Sequence, residues 1–305
     1  MPASVQSLSS PTSKPLQSKP PQTPDEQKPS NTVNLAAGAF SGAVAAFVTQ
    51  PLDFLKVALQ TQPGQLGSKE IIALCQKAFF TRKAFAGATP NIANLTGLRA
   101  LKFVVQPWTE RQLQGTPLAS HPYLIGLTSG FVAGCAQGPC AVPLSVVKVQ
   151  QQTMQRQGVF ATAEHLYKTR GLGGFSVGFW STTAVKSVWN AVFFGTVAVT
   201  KDLLTAMDSE NPMPAAQKAS IAGGIAGAAA CFANVPFDVV MARQQSALDR
   251  TSMLKLMAHI IKTEGPRALY KGLYIKALYY ALTGAINLPL FEAFQKWFTR
   301  FRAAS

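Results

Sequence analysis

PLDFLKVALQ (51–60), PLSVVKVQQQ (143–152) and PFDVVMARQQ (236–245) are one phrase written three times. The interval is about 92 residues, long enough for two long helices per unit rather than the short unit of a solenoid. Each phrase follows a stretch of small residues: GAFSGAVAAFVTQ, SGFVAGCAQGPCAV and AGGIAGAAACFANV. Gly38/Gly42, Gly130/Gly134/Gly138 and Gly223/Gly227 stand four apart, the spacing that lets helix backbones approach closely in a membrane. A proline then breaks or kinks each helix. Polar or charged residues follow at once: Asp53 with Lys56, Ser145 with Lys148, Asp238 with Met241 and Arg243.

Outside the phrases, composition points the same way. Of 305 residues, 48% are hydrophobic and only 13% are charged, about half the usual charged share of a soluble protein. Mean hydropathy is a modest +0.14, which suits spanning helices that turn one polar face to a cavity. Net charge is +15. The bases are scattered among apolar helices without interleaved aromatics, so an anionic solute and an anionic membrane surface are expected as partners, and nucleic acid is not. Cys75, Cys135, Cys140 and Cys231 form no C-x-x-C pair and histidine is scarce. Neither a metal site nor a disulfide framework is expected.

Residues 1–30 are rich in Pro, Ser, Gln and Lys and are expected to be a disordered tail. They contain no apolar stretch of the secretory type and no arginine, so they read as neither a signal nor a transit peptide. Three units follow, at 31–115, 116–210 and 211–302. In each, the pattern predicts a long odd helix, a kink, a short amphipathic helix and a long even helix. The odd helices start near Val33, Tyr123 and Ala216. The short ones cover 69–80, 160–169 and 252–263, and the even ones 89–106, 179–200 and 273–297. The expected fold is an all-α membrane protein, a six-helix pseudo-threefold bundle with both termini on one side.

The triple phrase resembles the signature of the mitochondrial carrier family, P-x-[D/E]-x-x-[K/R] at the kink of each odd helix, over residues 31–302. The resemblance implies a multi-pass inner-membrane transporter, monomeric, without cofactor, in contact with membrane lipid such as cardiolipin. It implies a matrix-side gate in which each carboxylate pairs with the next motif's base: Asp53 with Lys148, and Asp238 with Lys56. The third pair would be Ser145 with Met241, and neither is charged. Both partners of that bridge are missing together, which avoids an orphaned buried charge. Arg243 is placed to reach a carbonyl or a neighbour. Gln60, Gln152 and Gln245, nine residues after their prolines, match glutamines that brace the bridges. The opposite gate is eroded: Phe291-Glu292 and Lys296 remain in the third unit and Lys201 in the second.

The even helices open after Gly87, Gly178 and Gly272. Counting from these glycines aligns Asn91 and Asn94, Thr182 and Val185, and Lys276 and Tyr279 at one depth, with Lys186 adjacent and Arg99, Lys102 and Asn190 further along. Cations prevail there and no carboxylate is seen, so an anionic organic acid is the expected cargo. The helix sequences resemble the subgroup carrying 2-oxodicarboxylates and tricarboxylates such as citrate or cis-aconitate. Substrate contacts are thus expected from Asn91, Asn94, Arg99, Lys102, Lys186, Asn190, Lys276 and Tyr279. The competing reading is a carrier-fold scaffold or assembly subunit without transport, motivated by the eroded gate. An enzyme is not indicated, because no nucleophile–base pair or phosphate loop is present.

Overall fold

The computed structural model describes residues 31–64, 68–81, 85–154, 158–207 and 213–304. The tail at 1–30 and the joint at 208–212 lie outside the described residues. Ten α-helices run through the rest: α1 Asn31–Val48, α2 Gln50–Thr61, α3 Ser68–Phe80, α4 Ala88–Leu113, α5 Pro122–Met154, α6 Val159–Arg170, α7 Phe179–Ala206, α8 Ala215–Ala247, α9 Met253–Glu264 and α10 Leu273–Ala304. No strand occurs among the described residues.

The prolines of the repeated phrase act differently in the three units. Before Pro51 the chain breaks at Thr49, and α1 and α2 diverge by 58°. Pro143 and Pro236 sit inside α5 and α8, which run on as single helices. The even helices extend beyond the expected ends. α4 carries on through Pro107 to Leu113, its far end tied by Gln106 Nε2 donating to Glu110 at 2.9 Å. By length and apolarity, α5 and the Gln217–Ala247 part of α8 could each cross a membrane, and α1 with α2 makes a third if the bent pair is one span.

The long helices pack in a closed order. α4 lies on α5, α5 on α7, α7 on α8, and α10 returns to α1. The α5–α7 contact uses the small-residue spacing in full. A Cβ added at Gly130 would stand 2.4 Å from the Asn190 carbonyl oxygen, and one at Gly134 would stand 2.3 Å from Ser187 Cα. The expectation of equal closeness in the third unit is not met. Among the described residues nothing lies within 4 Å of a Cβ added at Gly223 or Gly227, and α8 packs on α7 rather than tightly on α10.

The short helices fold against the kinked segments and bury one small core per unit. Phe54, Leu55 and Ala78 form the first, Val142, Val146, Leu166 and Val177 the second, and Val240, Ile260, Ala268 and Leu269 the third. Burying a side chain such as Leu166 or Ile260 contributes about 1.5–3 kcal/mol. Each even helix is then entered through a glycine with positive φ: Gly87 (82°), Gly178 (71°) and Gly272 (77°). These glycines abut the next unit. A Cβ would meet Lys148 at Gly87, Gln245 at Gly178 and Gln60 at Gly272, each at 3.2–3.3 Å. The three turns therefore bring the three phrases to one level.

Candidate functional site

At that level the chain encloses its charges. Lys148 Nζ lies 2.8 Å from Asp53 Oδ2 and 2.9 Å from Oδ1. It also donates to Asn91 Oδ1 at 2.9 Å. Gln152 Nε2 donates to Asp53 Oδ2 at 2.9 Å, so this carboxylate is held from two sides and is 2% exposed. Asn91 in turn donates to Gln50 Oε1 at 3.2 Å. The α2–α5 contact is thus an ion pair set in a fully polar network, the arrangement that makes a buried pair tolerable.

Between α8 and α2, Lys56 Nζ lies 3.0 Å from Asp238 Oδ2. A second lysine shares that oxygen: Lys276 Nζ stands 2.9 Å away and its side chain is 1% exposed. This corrects the expectation that no carboxylate lies near Lys276. Asn234, in the amide orientation that satisfies both its polar atoms, accepts from Lys276 at 3.1 Å.

The third junction, between α5 and α8, is neutral. Gln245 Nε2 donates to Ser145 Oγ at 2.8 Å and to Thr182 Oγ1 at 3.0 Å. The three glutamines therefore differ. Gln152 braces an ion pair, Gln245 stands in for one, and Gln60 is buried with no hydrogen-bond partner at either polar atom among the described residues. The expectation that Gln60 braces a bridge is corrected here. Its side chain packs beneath Gly272, and the lysine beside it is already engaged by Asp238.

Arg243 lies outside this ring. It pairs with Glu264, through its Nη1 and, at 2.9 Å, its Nη2. Lys271 reaches the same carboxylate at 3.1 Å, and the Gly64 N–H donates to it at 2.9 Å. Arg243 and Lys271 also donate to the backbone carbonyls of Gln60 and Gln62, at 3.3 and 3.2 Å. Glu264 thus clasps the end of α2 to the third unit. Sequence reasoning missed it; the signal was an acid directly before the glycine that stops α9.

The Glu264 carboxyl is held down to about 2, first by its bonds from Arg243, then by the Gly64 N–H and Lys271. A depressed carboxylate adds stability that is complete above its unfolded value near 4.5 and is lost as pH falls through about 2. The clasp therefore does not titrate at working pH. Glu264→Gln is expected to lower the unfolding temperature in detergent by about 2–4 °C, equally at pH 5.5 and pH 8. A loss that differs between those pH values would contradict this assignment.

Above the ring is a cavity of about 100 Å³. Asn91, Asn94, Lys186 and Tyr279 line it, with Asn234 and Thr182. Asn94 Oδ1 is buried without a hydrogen-bond partner among the described residues. Lys186 faces the cavity with no ion partner among the described residues. The other expected contacts are not gathered here. Asn190 is buried and donates to Gln137 Oε1 at 2.8 Å, while Gln137 donates to the Leu98 carbonyl; it joins α7 to α5 and α4. Lys102 Nζ lies over the rings of Phe194 and Phe193, at 4.8 and 5.7 Å. The Arg99 side chain lies outside what is described. Of the opposite gate, Lys201 and Lys296 are exposed and the Glu292 side chain lies outside what is described.

Sequence comparison agrees with this geometry. The family model for mitochondrial carrier protein matches residues 27–116, 119–208 and 214–302. A probable mitochondrial 2-oxodicarboxylate carrier of Dictyostelium discoideum is 28% identical over 278 residues, covering 86% of this chain and 90% of that one. The mitochondrial 2-oxodicarboxylate carrier of Bos taurus is 28% identical over 282 residues, covering 86% and 93%. A calcium-dependent mitochondrial ATP-magnesium/phosphate carrier protein of Arabidopsis thaliana is also 28% identical, covering 85% of this chain and 55% of its own length. The chain belongs to the mitochondrial carrier family, and is a multi-pass solute transporter of the mitochondrial inner membrane rather than an enzyme.

Proposed function

We propose that this carrier exchanges dicarboxylate anions, 2-oxodicarboxylates foremost, by alternating access through a pseudo-threefold bundle of six spanning helices. The observation that carries the reading is a buried charge surplus. Among the described residues, Lys56, Lys148, Lys186 and Lys276 face Asp53 and Asp238 in the ring and cavity, a formal excess of two positive charges. Cations enclosed among helices need anions or water. A dicarboxylate cancels the excess, and a tricarboxylate would exceed it unless Arg99 contributed. The names of the relatives in Dictyostelium discoideum and Bos taurus support the same cargo class.

In this reading Lys186 takes one carboxylate, with Asn94 and Tyr279 beside it. The ring below is the matrix-side gate in its closed form. Binding energy shifts the equilibrium between the two gates and no covalent chemistry occurs. The test is uptake of labelled 2-oxoglutarate, malate, citrate, phosphate and ATP into liposomes holding the purified protein. Exchange of a dicarboxylate is expected. A charge-assisted contact is worth about 1.5–3 kcal/mol, so Lys186→Met is expected to raise the KM for that acid roughly tenfold or more. Transport of ATP or phosphate alone, or a normal Lys186→Met variant, would overturn the assignment.

A further inference from the structure

Lys276 stands at the depth of the cargo contacts by sequence, yet it does not line the cavity wall. Its ammonium lies behind Asp238, 2.9 Å from Oδ2, and its side chain is 1% exposed. The Trp189 ring covers it at 5.6 Å, and Tyr280 stacks on that ring at 4.4 Å. A cargo in the cavity meets Asp238, Asn234 and Tyr280 first. Meanwhile the ring lacks a base at Met241, whose motif supplies Asp238.

We propose that Lys276 is a gate residue: it is the ring's third base, reaching Asp238 from α10, while the Ser145–Met241 junction carries none. Asp238 then carries two lysines from two directions, Lys56 from the first unit and Lys276 from its own. Loss of one leaves the carboxylate paired, and loss of both leaves it buried and uncompensated. Lys276 acts through Asp238 and is a positioning residue, not a cargo contact. It follows that opening the matrix side must separate Lys56 from Asp238, while Lys276 remains with Asp238 inside the third unit and keeps the freed carboxylate neutralised. The mechanism rests on the alternating-access reading above; the pairing itself does not.

The experiment is a thermal-unfolding cycle on the full-length protein in detergent, with Lys56→Met, Lys276→Met and the double variant, each also made on Asp238→Asn. With Asp238 present, the double variant is expected to lose much more than the two single losses together. On Asp238→Asn that excess is expected to vanish, which packing alone would not produce. In liposomes, Lys276→Met is expected to keep KM within about twofold of the parent while its maximal rate changes by about fivefold or more. Additive losses, or an excess that persists on Asp238→Asn, would overturn the proposal. So would a tenfold rise in KM at unchanged rate. If no organic anion is carried but the coupling holds, the transport reading fails and the gate assignment stands.

Discussion

Asp53→Ala is expected to abolish measurable exchange in liposomes, and to do so more completely than the paired change Asp53→Ala with Lys148→Met. Alone, the alanine leaves Lys148 enclosed, with the Asn91 amide oxygen its one remaining partner among the described residues. It also strips Gln152 of its acceptor. Breaking a buried pair from one side costs about 3–5 kcal/mol, whereas replacing both members by apolar groups is often close to neutral. By that arithmetic the closed form loses a factor of about 10² to 5 × 10³ in population. The double variant regains most of the fold but not the gate. A cycle built from Asp53→Ala, Lys148→Met and both, followed by unfolding temperature, is expected to show a coupling well above the roughly 0.5 kcal/mol of independent sites. Additive losses would mean that the 2.8 Å pair contributes nothing to stability.

That pair was legible in the chain because its logic is local. A charged residue just past a proline, in a helix otherwise built of small and apolar residues, needs a partner at the same depth, and three copies of the phrase set that depth. Positive-φ glycines at the heads of α4, α7 and α10 fix the same level, and all three were readable as the starts of the even helices. What the alignment could not supply was rotation about each helix axis. Lys276 and Lys186 occupy neighbouring depths, yet one turns behind Asp238 and the other into the cavity. Asn190 aligns with cargo positions but turns toward Gln137. Gln60, Gln152 and Gln245 share a register but not a role, because the groups across the junctions differ: Asp238 is already held by two lysines, Asp53 by one, and Ser145 by none. Of the Glu264 clasp only the acid before Gly265 was legible, because half of it is backbone, the carbonyls of Gln60 and Gln62 and the N–H of Gly64, which no side-chain pattern announces.

Equal glycine spacing likewise concealed unequal packing, and that inequality gives a second large effect. Gly134→Ala is expected to destabilise the protein severely, and Gly227→Ala to leave it unchanged or raise its stability. The first Cβ would stand 2.3 Å from Ser187 Cα and 2.5 Å from Ser187 N. Those are backbone atoms, so no rotamer change relieves the overlap. α5 and α7 would have to part by about 1 Å along several turns, and interiors at crystal-like density resist that. Parting them would also stretch the Gln137–Asn190 bond, now 2.8 Å, and the Cys135–Ser187 contact at 3.3 Å. Overpacking of this kind costs about 1–3 kcal/mol, occasionally more. Among the described residues nothing lies within 4 Å of a methyl at Gly227, and alanine is favoured over glycine inside a helix by about 1 kcal/mol. Unfolding temperatures of the two variants in detergent decide the matter. Equal losses would mean that α8 packs as closely as α5 and that the open space beside Gly227 is filled in the folded carrier. Loss at Gly134 alone would show that the spacing of small residues holds α5 to α7 and does no such work at Gly227, leaving the third unit to its core of Val240, Ile260, Ala268 and Leu269 and to its charges: Asp238 with two lysines, and Glu264 with Arg243 and Lys271.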